Sequence, residues 1–381
     1  MSDLLTLFAN LTGDEYRGNS TGVLPAQGIY AEIQKGNIAA ATEIDISQIQ
    51  PASLDLRLGD AAFCVSSSFL PGPDATVQER LDRLAWDKVD LTDGAILRSG
   101  FIYIIPLQEV LRLPSNLWAL ANPKSSTGRL DIFARVISDF EWRFDRIREG
   151  YRGPLYLEVS PRTFNVKVRR GSRLAQLRLK RGTPRSYERF HRRLEREVEL
   201  VSTGTLQERV KGGRVFSVNL LGERSDEIIG FKARKYTKPI DIDCIDALEA
   251  PDYWEPIYSS PDGLVLDPLN FYVLASKENV SVPSAAAAEM LAYDTLVGEF
   301  RVHYAGFFDP GFGHDAAGGA GARGVLEVRC HEAPFALEHG QVVGRLVYER
   351  MAELPDRLYG AGIASNYQGQ VLKLSKHFRA P

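Results

Sequence analysis

The chain has 381 residues, 44% hydrophobic and 25% charged, the balance of an ordinary globular protein rather than a disordered or fibrous one. Lys+Arg 46 against Asp+Glu 49 leaves a net charge of −3, so no global field favours nucleic acid and any anion site must be local. Three dispersed cysteines, Cys64, Cys244 and Cys330, argue against a disulfide framework, and neither a signal peptide nor a membrane span is apparent, so a reducing cytoplasm is the expected setting.

The length suggests two domains, each able to bury a core. In chain order, LPAQGIYAEIQKGNI (24–38) predicts a short amphipathic helix ended near Gly36. The texture then turns to β: SLDLRLG, AILRSGFIYIIPL, LYLEV and RLAQLRL alternate with Gly, Pro and Ser, without the βα alternation of a parallel sheet. KRGTPRSYERFHRRLEREVELV (180–201) predicts an exposed helix, whose interleaved Glu188, Glu195, Glu197 and Glu199 favour a solvated face over a nucleic-acid contact. STGTLQERVKGGR (202–214) predicts a linker, after which β texture resumes.

Shifting the chain by 169 residues aligns four landmarks without a gap. GAILRSGFIYII (94–105) falls on GLVLDPLNFYVL (263–274), Pro114-Ser115 on Pro283-Ser284, Leu157-Glu158-Val159 on Leu326-Glu327-Val328, and Gly171 on Gly340. This order suggests a duplicated β domain: a first copy at 1–201 with a charged helical extension, the linker at 202–214, and a second copy at 215–381.

Several chemistries find no motif: GxxxxGK[ST], strand-borne GxGxxG, HExxH and the zinc-deaminase HxE…PCxxC are all missing. Cys330-His331-Glu332 has no second cysteine nearby to complete a zinc site. Two features remain. KSSTGR (124–129) packs two cations and two hydroxyls into six residues, the donor types that polyphosphate recognition uses. A solvated Ser/Thr turn satisfies the same spacing. Glu158 and Glu327 sit in the apolar strands YLEV and VLEV, where recurrence at one repeat position favours a structural or catalytic role without choosing between them.

These residues resemble the dCTP deaminases of the trimeric dUTPase-like superfamily. PASLDLRLG (51–59) after its helix is similar to the family's opening, and NPKSSTGRL to its Arg-Ser-Ser-x-x-Arg phosphate motif, with lysine for the first arginine. YLEVSPRTFNVKVRRGSRLAQLRL (156–179) resembles the family's Leu-Glu strand and its sequel. In the second copy AGFFDPGF (305–312) resembles the Asp-Pro-Gly hairpin, GVLEVRCHEAPFALEHGQVVGRL the catalytic-glutamate strand, and SNYQGQ (365–370) the C-terminal arm that closes over the triphosphate. The resemblance covers most of the chain, once per half.

It implies a mainly β fold of two tandem dUTPase-like distorted jelly-roll or β-barrel domains with a few short helices, with sites where subunits meet. It further implies zinc-independent hydrolysis of dCTP to dUTP and ammonia, a glutamate acting as acid and base. Arg129 would hold that glutamate and Ser125 would bind the water or leaving ammonia. Lys124, Ser126, Tyr367 and Gln370 would take phosphate oxygens, and Ala305 and Asp309 the base-binding side, with Asp139 as the first-half counterpart of Asp309. Mg²⁺ would be carried by the triphosphate rather than by a protein cage.

The second half has lost the Ser-Ser-x-x-Arg set, and the first lacks a clean Asp-Pro-Gly hairpin and an arm. These complementary losses predict a composite site, KSSTGR from the first half meeting the hairpin, Glu327 and SNYQGQ from the second. Glu327 is preferred over Glu158 as the catalytic glutamate on that ground. Expected partners are dCTP and dUTP, with dTTP as a candidate effector and other copies of the chain in a homo-oligomer, a trimer of two-domain chains making two rings of three barrels. A dUTPase, a bifunctional enzyme and a non-catalytic nucleotide sensor are the competing readings.

Overall fold

A computed structural model of the chain describes residues 21–379 apart from 184–189, 191–193, 195–199, 202–208, 211–212, 223, 225, 293–299, 304–305, 331 and 362–366. Helix α1, Ala26–Gln34, follows Pro25, buries Ala26 and Ile29, and is ended by Gly36 at φ 74°. Left-handed backbone is what a helix stop demands and glycine supplies. Helix α2, Val77–Leu84, is not among the sequence expectations. TVQE at its start forms a capping box, the Thr76 side chain accepting from the Glu79 amide.

The remainder is mainly β. In the first half, β1 (Leu54–Leu56) and β3 (Leu117–Pro123) flank β6 (Ala175–Arg181), while β5 (Arg152–Pro161) lies between β2 (Ile102–Arg112) and β4 (Ile132–Ser138), all antiparallel. The second half repeats this framework. Its β7 (Phe271–Val280), β8 (Ala286–Ala292), β11 (Ala322–Cys330) and β12 (Val342–Arg350) join a ten-stranded sheet with β9 (Phe300–His303) and β10 (Phe307–Phe308).

Registers repeat along with the strands. Leu157 faces Ile105 and Glu158 faces Ile104 across β5 and β2, while Leu326 faces Leu274 and Glu327 faces Val273 across β11 and β7. Each of these residues is 169 positions from its counterpart. Even a turn contact recurs: the Tyr103 hydroxyl accepts from the Arg98 amide and the Tyr272 hydroxyl from the Asp267 amide.

Two large apolar clusters form, one shared between the halves and a second confined to residues from 190 onward. Trp254 packs edge-on to Phe164 at 5.4 Å and to Phe378 at 5.9 Å, joining both halves and the C-terminal arm in one apolar cluster. The strand Val166–Val168 of the first half pairs in parallel with Ile240–Asp241 of the second. Across the interface the Lys180 ammonium meets the Glu349 carboxylate at 2.5 Å, and these two occupy the same repeat position, 169 residues apart.

The charged stretch 180–201, expected as an exposed helix, is described only in part. Lys180 and Arg181 end β6, and the helical Phe190 and Leu194 pack into the second apolar cluster. Most of the stretch lies outside the described residues. So does most of the expected linker 202–214, of which Arg209–Val210 pairs with the strand beginning at Gly213. Among the described residues no helix is long and apolar enough to cross a membrane.

Candidate active site

The two halves meet over a cleft that is open to solvent and lined from both copies. The first half contributes the end of β3 and the one-turn helix α3, Ser125–Gly128, so that Lys124, Ser125, Ser126 and Arg129 face the cleft. Thr127 ties this turn down by donating from its hydroxyl to the Leu174 carbonyl at 2.8 Å. The second half contributes β11, whose period-two alternation turns Glu327 inward, and the hairpin that carries Asp309. In that hairpin Gly311 sits at φ 100°, and a Cβ there would come within 2.9 Å of the Tyr359 backbone. Only glycine fits both constraints.

Arg129 is the hub. Its Nη1 donates to the Lys373 carbonyl at 2.9 Å and its Nη2 to Gln370 Oε1 at 3.0 Å. The guanidinium lies 3.9 Å over the Tyr367 ring. Its Nε, buried and without a hydrogen-bond partner, is 3.9 Å from Glu327 Oε1. Burial is the dominant influence on that carboxyl, pushing it up to about 8 against the opposing pull of Arg129. Glu327 is therefore mostly protonated at neutral pH in the resting protein.

A stability consequence follows from the sign. The folded value lies above the unfolded value near 4.5, so the folded state keeps a proton that the unfolded chain gives up. The associated stability is complete below pH 4.5 and is lost as pH rises through about 8. Glu327→Gln cannot ionise, so its Tm relative to the parent should climb between pH 5 and 8.5. Thermal denaturation across that range checks it; a constant Tm difference would sink the assignment.

Further cations rim the cleft. The Lys124 ammonium contacts the Asp55 carboxylate, and Arg173 reaches the same carboxylate at 3.9 Å. Lys376 also lines the cleft; burial is the largest cause of its lowered pKa, with Lys124 nearby acting in the same direction. The arm is anchored below it. Ser375 Oγ donates to the Ser126 carbonyl at 2.8 Å, and buried His377 contacts the Ile242 carbonyl at 2.8 Å. Asp309 is held by Arg178, whose Nη2 donates to Oδ1 at 3.1 Å while its Nη1 donates to the Ala288 carbonyl at 2.9 Å.

The cleft gathers Lys124, Ser125, Ser126, Arg129, Asp309, Glu327, Tyr367 and Gln370. Glu158 and Asp139 are not brought to it. Glu158 accepts from Arg135 Nε at 3.0 Å and from Ser68 Oγ at 2.6 Å, under the segment that leads into α2. Asp139 accepts from the Val77 amide at 2.8 Å, at the start of that helix. Ala305 lies outside the described residues, although its neighbour Gly306 lines the cleft.

The arm residues expected to take phosphate oxygens, Tyr367 and Gln370, both contact Arg129. The Gln370 carboxamide is engaged with Arg129 and, through Nε2, with the Arg323 carbonyl at 2.9 Å. With the Tyr367 ring under Arg129 as well, the arm clamps the arginine. Sequence reasoning missed Asp55, Arg178 and Lys376. Asp55 stands inside the quoted SLDLRLG, yet nothing local shows that a lysine 69 residues on will meet it.

The duplicated β framework and the inter-half cleft define a tandem, mainly β protein whose site draws on both copies. Two family models match the chain: the 2'-deoxycytidine 5'-triphosphate deaminase N-terminal domain over residues 20–183 and the C-terminal domain over residues 187–378. The chain belongs to the 2'-deoxycytidine 5'-triphosphate deaminase family. It is similar to the crystal structure of 2'-deoxycytidine 5'-triphosphate deaminase from Agrobacterium tumefaciens, with 50% identity and a TM-score of 0.82 over 87% of this chain and 99% of that one. It is 31% identical to the "dCTP deaminase, dUMP-forming" of Streptomyces coelicolor over 42% of this chain and 81% of that protein. A dCTP deaminase of Alteromonas mediterranea is 30% identical over 34% of this chain, which spans 66% of that relative's length.

Proposed function

We propose that the chain hydrolyses dCTP to dUTP and ammonia, with Glu327 as the acid–base group. The observation that carries this reading is the apposition of KSSTGR from one half to Glu327 and Asp309 of the other in one cleft. In the ionised form Glu327 takes a proton from a water held beside Ser125 while that water's oxygen bonds to C4 of the base. The same carboxyl delivers that proton to the ring nitrogen, takes the second from the new C4 hydroxyl, and passes it to the amino group, which leaves as ammonia when the C4–N bond breaks and C4=O forms. Arg129 steadies the glutamate through both states.

Lys124, Ser126 and Lys376 are positioned to receive phosphate oxygens, the Lys124–Asp55 contact loosening as the triphosphate enters. Asp309, oriented by Arg178, meets the sugar and base side. Among the described residues no three His, Cys, Asp or Glu side chains gather as a metal cage, and Asp55 and Asp309 are already paired with cations. This donor set suits Mg²⁺ that arrives on the triphosphate, and zinc-independent chemistry. Turnover that survives a zinc-selective chelator in the presence of Mg²⁺ tests it.

Because the acting form is the carboxylate, kcat/KM for dCTP is expected to rise with pH and level off above about 8. A pH–rate profile falling through that range would overturn this assignment of the base. The deciding assay incubates the chain separately with dCTP and dUTP and measures ammonia and pyrophosphate. Ammonia from dCTP without pyrophosphate is the expected result. Pyrophosphate from both would favour the second reading, a dUMP-forming enzyme, for which the name of the Streptomyces coelicolor relative speaks. Tight dCTP binding with no ammonia would leave a nucleotide sensor.

A cytoplasmic setting, dTTP as effector and a homo-oligomer complete the proposal. The oligomer proposed is a trimer of two-domain chains, six barrels in all. Sedimentation measurements distinguish a trimer from smaller assemblies.

A further inference from the structure

A buried ion pair joins the halves two residues along the chain from Arg129 and Glu327. Asp131 lies two residues beyond Arg129, and Arg329 two residues beyond Glu327 on the same face of β11. The Arg329 guanidinium contacts Asp131 Oδ2, and both side chains are almost wholly buried. The pair is braced on each side. Thr163 Oγ1 donates to Asp131 Oδ2 at 2.6 Å and accepts from Arg329 Nη2 at 3.0 Å, and Arg329 Nη1 donates to the Leu269 carbonyl at 2.7 Å.

The backbone at this tether is unusual. Asp131 has φ 55° and Leu269 has φ 60°, the left-handed region that side-chain-bearing residues adopt at a cost. The Asp131 amide donates to the Gly128 carbonyl and its carbonyl accepts from the Arg162 amide, each at 2.9 Å, so the strained residue is locked to the turn that presents Arg129. Neither charge has a charged counterpart at the matching repeat position, where Phe300 and Ser160 stand. The link therefore belongs to the pairing of first half with second rather than to the shared framework.

The 3.9 Å gap between Arg129 Nε and Glu327 Oε1 depends on how closely these two segments are held. We propose that the Asp131–Arg329 pair is a positioning device for the reaction, fixing the separation of Arg129 and Glu327 and so how readily the glutamate takes up and releases its proton. The inference rests on the reading of Glu327 as the acid–base group. Arg129 is the charged side chain nearest that carboxyl and Tyr367 of the arm is close by. Asp309, Lys124, Lys376 and Asp55 also line the cleft, and the register partner of Glu327 on β9 is His303.

The test is the double variant Asp131→Asn/Arg329→Gln in the full chain, which removes one charge of each sign and leaves the net charge unchanged. Infrared difference titration of the Glu327 carboxyl is taken without substrate, against the same background carrying Glu327→Gln. Loosening Arg129 should move the midpoint upward by about one pH unit, and kcat/KM at neutral pH should fall about tenfold with KM within about twofold. A midpoint within about 0.2 unit of the parent, with only the Tm lowered, would overturn the proposal and leave the pair a structural tie. If the double variant does not fold, Arg329→Lys and Thr163→Val replace it. Each weakens the pair while keeping its charges, and an unmoved midpoint in both overturns the proposal equally. A parent that titrates as expected but releases no ammonia from dCTP refutes the proposed activity alone.

Discussion

Replacing Glu327 by glutamine is expected to lower ammonia release from dCTP by about 10²- to 10⁴-fold, the range that positioned acid–base catalysis contributes. That loss corresponds to roughly 3–5.5 kcal/mol of transition-state stabilisation at 1.36 kcal/mol per factor of ten. Nucleotide binding should be nearly unchanged, because glutamine keeps the shape and the lining cations are untouched. Glu158→Gln should stay within a few-fold of the parent in turnover. Its carboxylate is already satisfied by Arg135 and Ser68, and it faces no part of the cleft. Loss of that charge-assisted contact should appear in the Tm instead. Single-turnover ammonia measurements with both variants decide the matter. A large rate loss confined to Glu158→Gln would reverse the assignment and dismantle the composite site.

The contrast between these glutamates shows where sequence reading succeeds and fails. Both stand in LEV strands at one repeat position and in one register, so their backbone placement was readable from the 169-residue shift. The role of each depends on what covers its face. Over Glu327 lies an arginine from the other half. Over Glu158 lies the chain's own segment, with Ser68 on the carboxylate and α2 following. That fold-back is a tertiary outcome, and SSSFLPGPDATVQERLDRL carries only its capping box as a local sign.

Arg178 teaches the same lesson from a strand. Between Leu177 and Leu179 in RLAQLRL, alternation reads it as facing solvent. It is fully buried, because the face it occupies meets the second half, where its guanidinium lies 4.0 Å over the Phe307 ring and bonds Asp309. The meeting of the halves was legible only through their complementary losses, the phosphate motif kept in one and the hairpin and arm in the other. Contacts between positions 69 to 241 residues apart, such as Lys124 with Asp55 and Arg129 with Gln370, leave no periodic trace.

Lys180→Met is expected to destabilise the chain by about 3–5 kcal/mol, the cost of leaving a largely buried charge without its partner. Lys180 is almost wholly buried against Glu349, whose side chain retains 20% exposure, and Lys180 also moderates Glu289, whose carboxyl burial pushes upward. Their shared repeat position explains why the pairing matters. Where equivalent positions of the two copies meet, as Lys180 and Glu349 do, identical residues would confront like charge with like charge. A lysine in one copy and a glutamate in the other turn that confrontation into attraction, and favour first-with-second pairing over either copy with itself. Chemical denaturation of Lys180→Met, Glu349→Met and the double variant measures the effect. The double variant should recover most of the loss, since apolar replacement of a whole buried pair is often neutral. A Lys180→Met chain within about 1 kcal/mol of its parent would mean the pair behaves as an exposed one, and the interface would then owe its selectivity to the Asp131–Arg329 and Arg178–Asp309 contacts instead.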